Sequence, residues 1–151
     1  MHAAVTLHID APPEKVWGLV SDITKMGSYS PEVFEAEWLD GATGPAVGAR
    51  YRGHVKRNER GPTYWTVCKV TECTPGEVFE FAVVMRDKPV NTWRYEFKAA
   101  DGGTDVTESF RLTDNILTKA FGVLGGQLRT NRNKRDMLRT LERIKVVAEA
   151  G

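Results

Sequence analysis

The sequence predicts an α+β fold in which a curved seven-stranded antiparallel sheet wraps around a long C-terminal helix, with two short helices between strands 1 and 2. Three observations carry this. Between Val33 and Leu112 the apolar residues recur with a period of two, punctuated by turn signals such as Asp40-Gly41, Gly61-Pro62, Pro75-Gly76, Lys88-Pro89 and Asp101-Gly102-Gly103. The links between these strands are short enough for hairpins, which makes the sheet antiparallel. The last third of the chain has helical periodicity and is the one stretch long enough to cover a face of such a sheet.

Residues Ala3 to Asp10 alternate, with Val5, Leu7 and Ile9 on one side and Thr6, His8 and Asp10 on the other, as in a half-buried strand. The segment DAPPEKVWGLVSD then reads as a helix start, because proline suits the first helical position and Glu14 the first turn. A second short helical turn covers Ile23 to Tyr29 and stops at Ser30-Pro31, since the residue before proline disfavours helix. Six strands follow, near Phe34 to Leu39, Arg50 to Arg57, Tyr64 to Cys73, Val78 to Arg86, Asn91 to Ala99 and Asp105 to Leu112. Their predicted inward faces are Phe79, Phe81, Val83 and Met85, then Trp93, Tyr95 and Phe97, then Val106, Phe110 and Leu112.

The C-terminal stretch is expected to be a short helix, a bend at Gly125-Gly126 and a long helix from Gln127 to Glu149, which would reach about 35 Å. Met137, Leu138, Leu141, Ile144 and Ala148 share one stripe, with Arg129, Arg132, Arg135, Arg139 and Arg143 opposite. Traced backwards, that stripe runs into Gln127, Thr130 and Lys134. The polar half either overhangs into solvent or roofs a cavity against the aromatic sheet.

At 151 residues, 41% hydrophobic and 27% charged, the chain fits one domain over residues 1–151 with one core. No apolar run approaches ~18 residues and no secretory signal opens the sequence, so the expectation is a cytoplasmic protein without integral membrane association. A net charge of +1 gives no pull toward nucleic acid. Cys68 and Cys73 are expected to be free thiols, and His2, His8 and His54 have no metal spacing. There is no phosphate-loop, GxSxG or RNA-binding pattern.

One residue breaks the apolar pattern of its strand. Glu108 lies between Val106 and Phe110, and a carboxylate there must be paired, hydrogen-bonded or protonated. It is the candidate ligand anchor or general acid/base; the alternatives are a strand end that reaches water or an inward arginine partner. Arg50, Arg52, His54 and Lys56 alternate with Tyr51, Gly53 and Val55, so these bases form an outer face if Tyr51 and Val55 point in. A reversed register would bring one of them to Glu108.

Taken in order, IDAPPEKVWGLVSDITKMGSYSPEV, GPAVGARYRG, WRYEF with GTDVTESF, and MLRTLERIKVVAE make the chain similar to the START/Bet v 1-like superfamily. It resembles in particular the SRPBCC branch of polyketide cyclase/dehydrase and lipid-transport-like proteins, common in actinobacteria. The resemblance covers nearly the whole chain and implies a helix-grip fold, a cavity for hydrophobic ligands between sheet and helix, no metal or nucleotide cofactor and, in some members, cyclase or dehydratase activity. The expected function is binding of a hydrophobic small molecule, lipid or polyketide-like, as a carrier, by a monomer or homodimer. Tyr51, Phe81, Val83, Trp93, Tyr95 and Phe110 would wall the cavity, while Glu108, Gln127, Thr130 and Lys134 orient the ligand. The alternatives are a cofactor-independent cyclase, aromatase or dehydratase using Glu108, and a protein-partner module using the arginine face at Arg132 and Arg139.

Overall fold

The computed structural model describes residues 2–56, 62–113 and 116–150, with the side chains of 116–130 outside that description. The order is β1 (His2–Ile9), α1 (Pro13–Ser21), a 3-10 helix (Ile23–Ser28), β2 (Val33–Trp38), β3 (Arg50–Lys56), β4 (Thr63–Thr74), β5 (Val78–Met85), β6 (Lys88–Ala100), β7 (Gly103–Leu112) and α2 (Ile116–Glu149). The strands form one antiparallel sheet in the order β1-β7-β6-β5-β4-β3-β2. Because β1 lies beside β7 while β2 forms the opposite edge, α1 and the 3-10 helix carry the chain across the full width of the sheet.

Local chemistry places that crossing. Pro13 opens α1 with its missing N–H at a position that needs none, and Trp17 donates its Nε1–H to the Val78 carbonyl at 2.9 Å. Asp22 caps the 3-10 helix by accepting from Thr24 N at 3.2 Å. Gly27 then passes so near β2 that a Cβ would sit 2.1 Å from the Phe34 carbonyl oxygen.

Helix α2 lies against β1, β7 and α1. Leu141, Ile144 and Ala148 are buried in a main core with Ile9, Val16 and Val106. Met137 joins a smaller cluster of Ala3, Phe110 and Leu112. Each large apolar side chain among these contributes about 1.5–3 kcal/mol on burial, so the terminal turns of α2 are firmly held.

Several expectations need correction here. The helical ladder runs unbroken from Ile116 to Glu149 through Gly125 and Gly126, so there is one helix where two were expected; two glycines add about 1 kcal/mol each without interrupting the bonds around them. Leu138 is exposed at 38%, since the buried stripe of Met137, Leu141, Ile144 and Ala148 is centred roughly 100° away from it. Met85 is exposed at 68% because it is the last residue of β5, next to the hairpin turn; the register shift between Val83 and Val84 places its extra residue, Val90, on β6. The turn between β5 and β6 is Arg86-Asp87, both at positive φ, as a two-residue hairpin requires; Lys88 and Pro89 already belong to β6. The turn expected at Gly61-Pro62 and the apolar set Leu117, Phe121, Leu124 and Leu128 fall on or beside residues outside the description. Among the described residues no helix is long and apolar enough to cross a membrane.

Candidate functional site

The site begins with strand parity. Tyr51 and Val55 are buried at 1% and 7%, so on β3 the bases face outward: Arg52 pairs with Glu37, and His54 with Glu35 at 2.8 Å, on the convex surface. The reversed register is thereby removed, and none of these bases reaches Glu108. On the concave side the cross-strand partners Phe81, Trp93 and Phe110 form one row, followed along the strands by Phe79, Tyr95 and Glu108. The rings are packed into a continuous wall, with Trp93 and Phe110 4.6 Å apart and Tyr51 and Phe81 5.5 Å apart, centroid to centroid.

Between this wall and α2 lies a cavity of about 920 Å³. All six expected wall residues, Tyr51, Phe81, Val83, Trp93, Tyr95 and Phe110, line it, and so does Glu108. The cavity touches both core clusters, main and small, since Phe81 and Tyr95 belong to one and Phe110 and Met137 to the other. Its volume is within the range of small-molecule sites.

Among the described residues, three polar atoms on residues of this wall are buried without a hydrogen-bond partner: Tyr51 Oη, Asn91 Oδ1 and Glu108 Oε2. The Tyr51 hydroxyl lies beside the Cys68 thiol, a weak partner. Glu108 is 1% exposed in the middle of β7, which removes both the strand-end and the arginine-partner alternatives among the described residues. Burial pushes its carboxyl up to about 8, against a smaller opposing hydrogen bond offered by the Tyr95 hydroxyl. Burial likewise raises the hydroxyls of Tyr51 and Tyr95, and pushes the Cys68 thiol up to about 12, so that thiol is not a nucleophile at neutral pH. Among the described residues the deep wall therefore consists of neutral groups.

The helix side departs from expectation. Lys134 is exposed and does not line the cavity. It projects roughly 60° from Met137 toward the β1 side of the helix, whereas Asn133, Asp136 and Thr140 lie on the other flank, and these three do line it. Thr140 donates back to the Asp136 carbonyl at 2.9 Å, so its hydroxyl proton is used within the helix. Gln127 and Thr130 belong to α2, and their side chains lie outside the description. Arg132 and Arg135, from the outward arginine face, are exposed at the cavity's rim, and Arg143 donates to the Tyr29 carbonyl at 3.2 Å. Asn91 and Cys68 also line the cavity, beyond the residues expected from the sequence; each shares inward parity with an aromatic residue two or four positions away, Trp93 and Tyr64, and that parity is the sequence signal that marks them. Among the described residues no three or more His, Cys, Asp or Glu side chains gather in a group that could hold a metal.

A family model described as polyketide cyclase / dehydrase and lipid transport matches residues 1–149. No curated protein matches the chain. Among solved structures it is similar to the di-domain ARO/CYC StfQ from the steffimycin biosynthetic pathway, with TM-score 0.75 and 15% identity over 99% of this chain and 50% of that one. It is also similar to the Polyketide_cyc-like protein Cgl2372 from Corynebacterium glutamicum, with TM-score 0.54 and 28% identity over 98% and 85% of the two chains. Against Ara h 8.0201 the TM-score is 0.70 at 13% identity, covering 100% and 99%. The shared architecture is the helix-grip fold of Bet v 1.

Proposed function

We propose a binding function from one premise: the chain belongs to the polyketide cyclase / dehydrase and lipid transport family, within the SRPBCC, Bet v 1-like proteins. In this reading it binds a hydrophobic small molecule, lipid or polyketide-like, between the sheet and α2 and serves as its carrier, without a cofactor and as a monomer or homodimer. The observation that supports it is the wall itself, where aromatic rings accompany three buried polar atoms that no group among the described residues satisfies. A buried unsatisfied group costs about 1–3 kcal/mol, and three of them on residues that line one apolar space are accounted for if a ligand or the water it displaces completes them. Tyr51, Phe81, Val83, Trp93, Tyr95 and Phe110 would enclose the apolar body, and Glu108 would fix its polar end.

Native mass spectrometry of gently purified protein, with displacement of a fluorescent fatty acid, tests this reading. A co-purifying molecule or saturable displacement is expected; an empty protein that binds no probe contradicts it. A second reading, a cyclase, aromatase or dehydratase in the same cavity, is favoured by the proton that Glu108 holds and by the likeness in fold to StfQ. Under it, Glu108→Gln lowers turnover by ~10²-fold or more while leaving affinity nearly unchanged; equal loss of both supports anchoring alone.

A further inference from the structure

The net charge of +1 hides an uneven distribution, and strand register shows where the charges lie. Lys56 faces Thr63, Val84 faces Val67 two residues beyond Trp65, and Asn91 faces Leu112. The end of β3, the start of β4, the β5–β6 hairpin and the end of β7 therefore lie together. Helix α2 points its N-terminal half the same way, because Met137 packs with Ala3 and Leu112 while Glu149 meets Asp10 at the other end. The cavity opens here, since Tyr64, Arg132 and Arg135 line it and are exposed.

Two kinds of side chain crowd this end. Lys56, Arg86, Lys88, Arg111, Arg132 and Arg135 are all exposed, against Asp87 in the hairpin, Asp136 on α2 and Glu32, whose carbonyl accepts from Lys56 N. Of those six bases only Arg135 has an ion pair among the described residues, with Asp136 at 3.7 Å. Beside them Met85 is 68% exposed at the hairpin, and Tyr64 and Trp65 are each 41% exposed. At the far end Asp10, Glu14, Glu77 and Asp101 are the exposed groups of the turns, so the molecule is electrically polarised along its strands. Large apolar side chains left in water beside a polar rim mark interaction sites.

A bilayer with anionic headgroups accounts for both kinds. Its surface attracts Lys and Arg over about a Debye length, and the boundary beneath the headgroups takes up Tyr, Trp and Met. A nucleic acid would match the charge but offer nothing to Met85. The bases are also spread over β3, the hairpin, β7 and α2, which suits a fluid plane whose lipids rearrange better than the fixed acidic pattern of one protein partner. We propose that the end at which the cavity opens docks on anionic lipid bilayers, with the bases among the headgroups and Met85, Tyr64 and Trp65 beneath them. Docking is peripheral and needs no spanning segment. It goes beyond the binding function, because this surface stands whether or not the cavity is filled. Where a ligand is carried, docking puts the mouth at the bilayer, so an apolar molecule moves between the two without crossing water.

The test is sedimentation of the intact protein with vesicles of phosphatidylcholine alone and of phosphatidylcholine mixed with phosphatidylglycerol, at about 0.1 M and about 0.5 M salt. Binding is expected to the mixed vesicles only, and about tenfold or more weaker at the higher salt. Each base near an anionic surface contributes about fivefold, so Arg86→Glu with Lys88→Glu should weaken binding by about tenfold or more. Lys15→Glu with Lys98→Glu, on α1 and near the far end of β6, changes the net charge equally and should leave binding nearly unchanged. Met85→Ser alters no charge and should weaken binding about threefold or more. No binding to the mixed vesicles, or equal binding to both kinds, overturns the proposal and leaves the binding function intact. Equal losses in the two charge-reversed pairs also overturn it, since net charge would then suffice. So does an unchanged Met85→Ser, because charge alone would then hold the protein. Tighter retention by a DNA duplex or by polyglutamate than by the mixed vesicles, at equal negative charge, overturns it in favour of another kind of partner.

Discussion

Glu108 governs the chemistry of the cavity because its position leaves it no charged partner among the described residues, and the consequence reaches beyond binding. Its carboxyl stands at about 8 in the folded chain against an ordinary 4.5. Between those values the unfolded chain has released the proton and the folded chain has not. Stability therefore declines as pH rises from about 4.5 and stops declining above about 8, a loss on the order of a few kcal/mol. Glu108→Gln removes this component, so urea unfolding at pH 5 and pH 9 should show a smaller fall for the variant; parallel falls in the two proteins would contradict the assignment. This residue was legible in the sequence because a carboxylate between Val106 and Phe110 breaks an apolar period. Asn91 was not, since an amide near a strand start looks like a turn residue until the register puts it beside Trp93 on the inner face. Lys134 was misplaced because the buried stripe was centred too far toward Leu138, and a helix offers no parity check against an error of roughly 60°.

At the scale of elements, the grip on α2 is tightest where it meets β1. Asp10 N donates to Glu149 Oε2 at 2.9 Å, and Lys145 Nζ donates to the His8 carbonyl at 3.2 Å while pairing with Glu149. Beside this junction His8 bridges two carboxylates, with Nδ1 2.7 Å from Asp105 and Nε2 3.1 Å from Asp10. The hydrogen bond with Asp105 raises the imidazole above its ordinary 6.5, with Asp10 adding to the effect and partial desolvation opposing it. The charged form is the one that bridges, so its contribution is present below the unfolded value of 6.5 and is lost as pH rises through the higher folded value. An NMR titration of the His8 ring should give a midpoint above 6.5 that drops in Asp105→Asn; an unmoved midpoint would show that this contact does not set it. Most elements were readable from period and punctuation, because apolar alternation and hairpin glycines act locally. The continuity of α2 was not, since whether a glycine pair kinks a helix depends on its tertiary neighbours. The exposure of Met85 was hidden for a similar reason, since alternation does not tell where a strand runs out of cover at its hairpin end.

For the molecule as a whole, the central feature is a core divided in two. One cluster gathers around Leu141 and Ile144, a smaller one around Met137 and Phe110, and Trp93 packs against both. Well-packed interiors leave few voids larger than a water molecule, so about 920 Å³ between sheet and helix departs from what stability alone would favour. The sequence made the sheet wall legible, through aromatics on alternating positions opposite a helix that turns polar. It left the helix side obscure, since Asn133, Asp136 and Thr140 differ little in type from the exposed residues between them. The family membership agrees with this architecture, and the ligand's identity rests on the proposed function above. The most direct measurement is a methyl-labelled NMR titration with 2-acetonaphthone. The methyls of Val55, Val83 and Met137, which line the cavity, should shift and saturate together, while those of Val47, Met85 and Val146 on the exterior stay in place. Shifts confined to the exterior methyls, or none at all, would contradict a ligand chamber between sheet and helix.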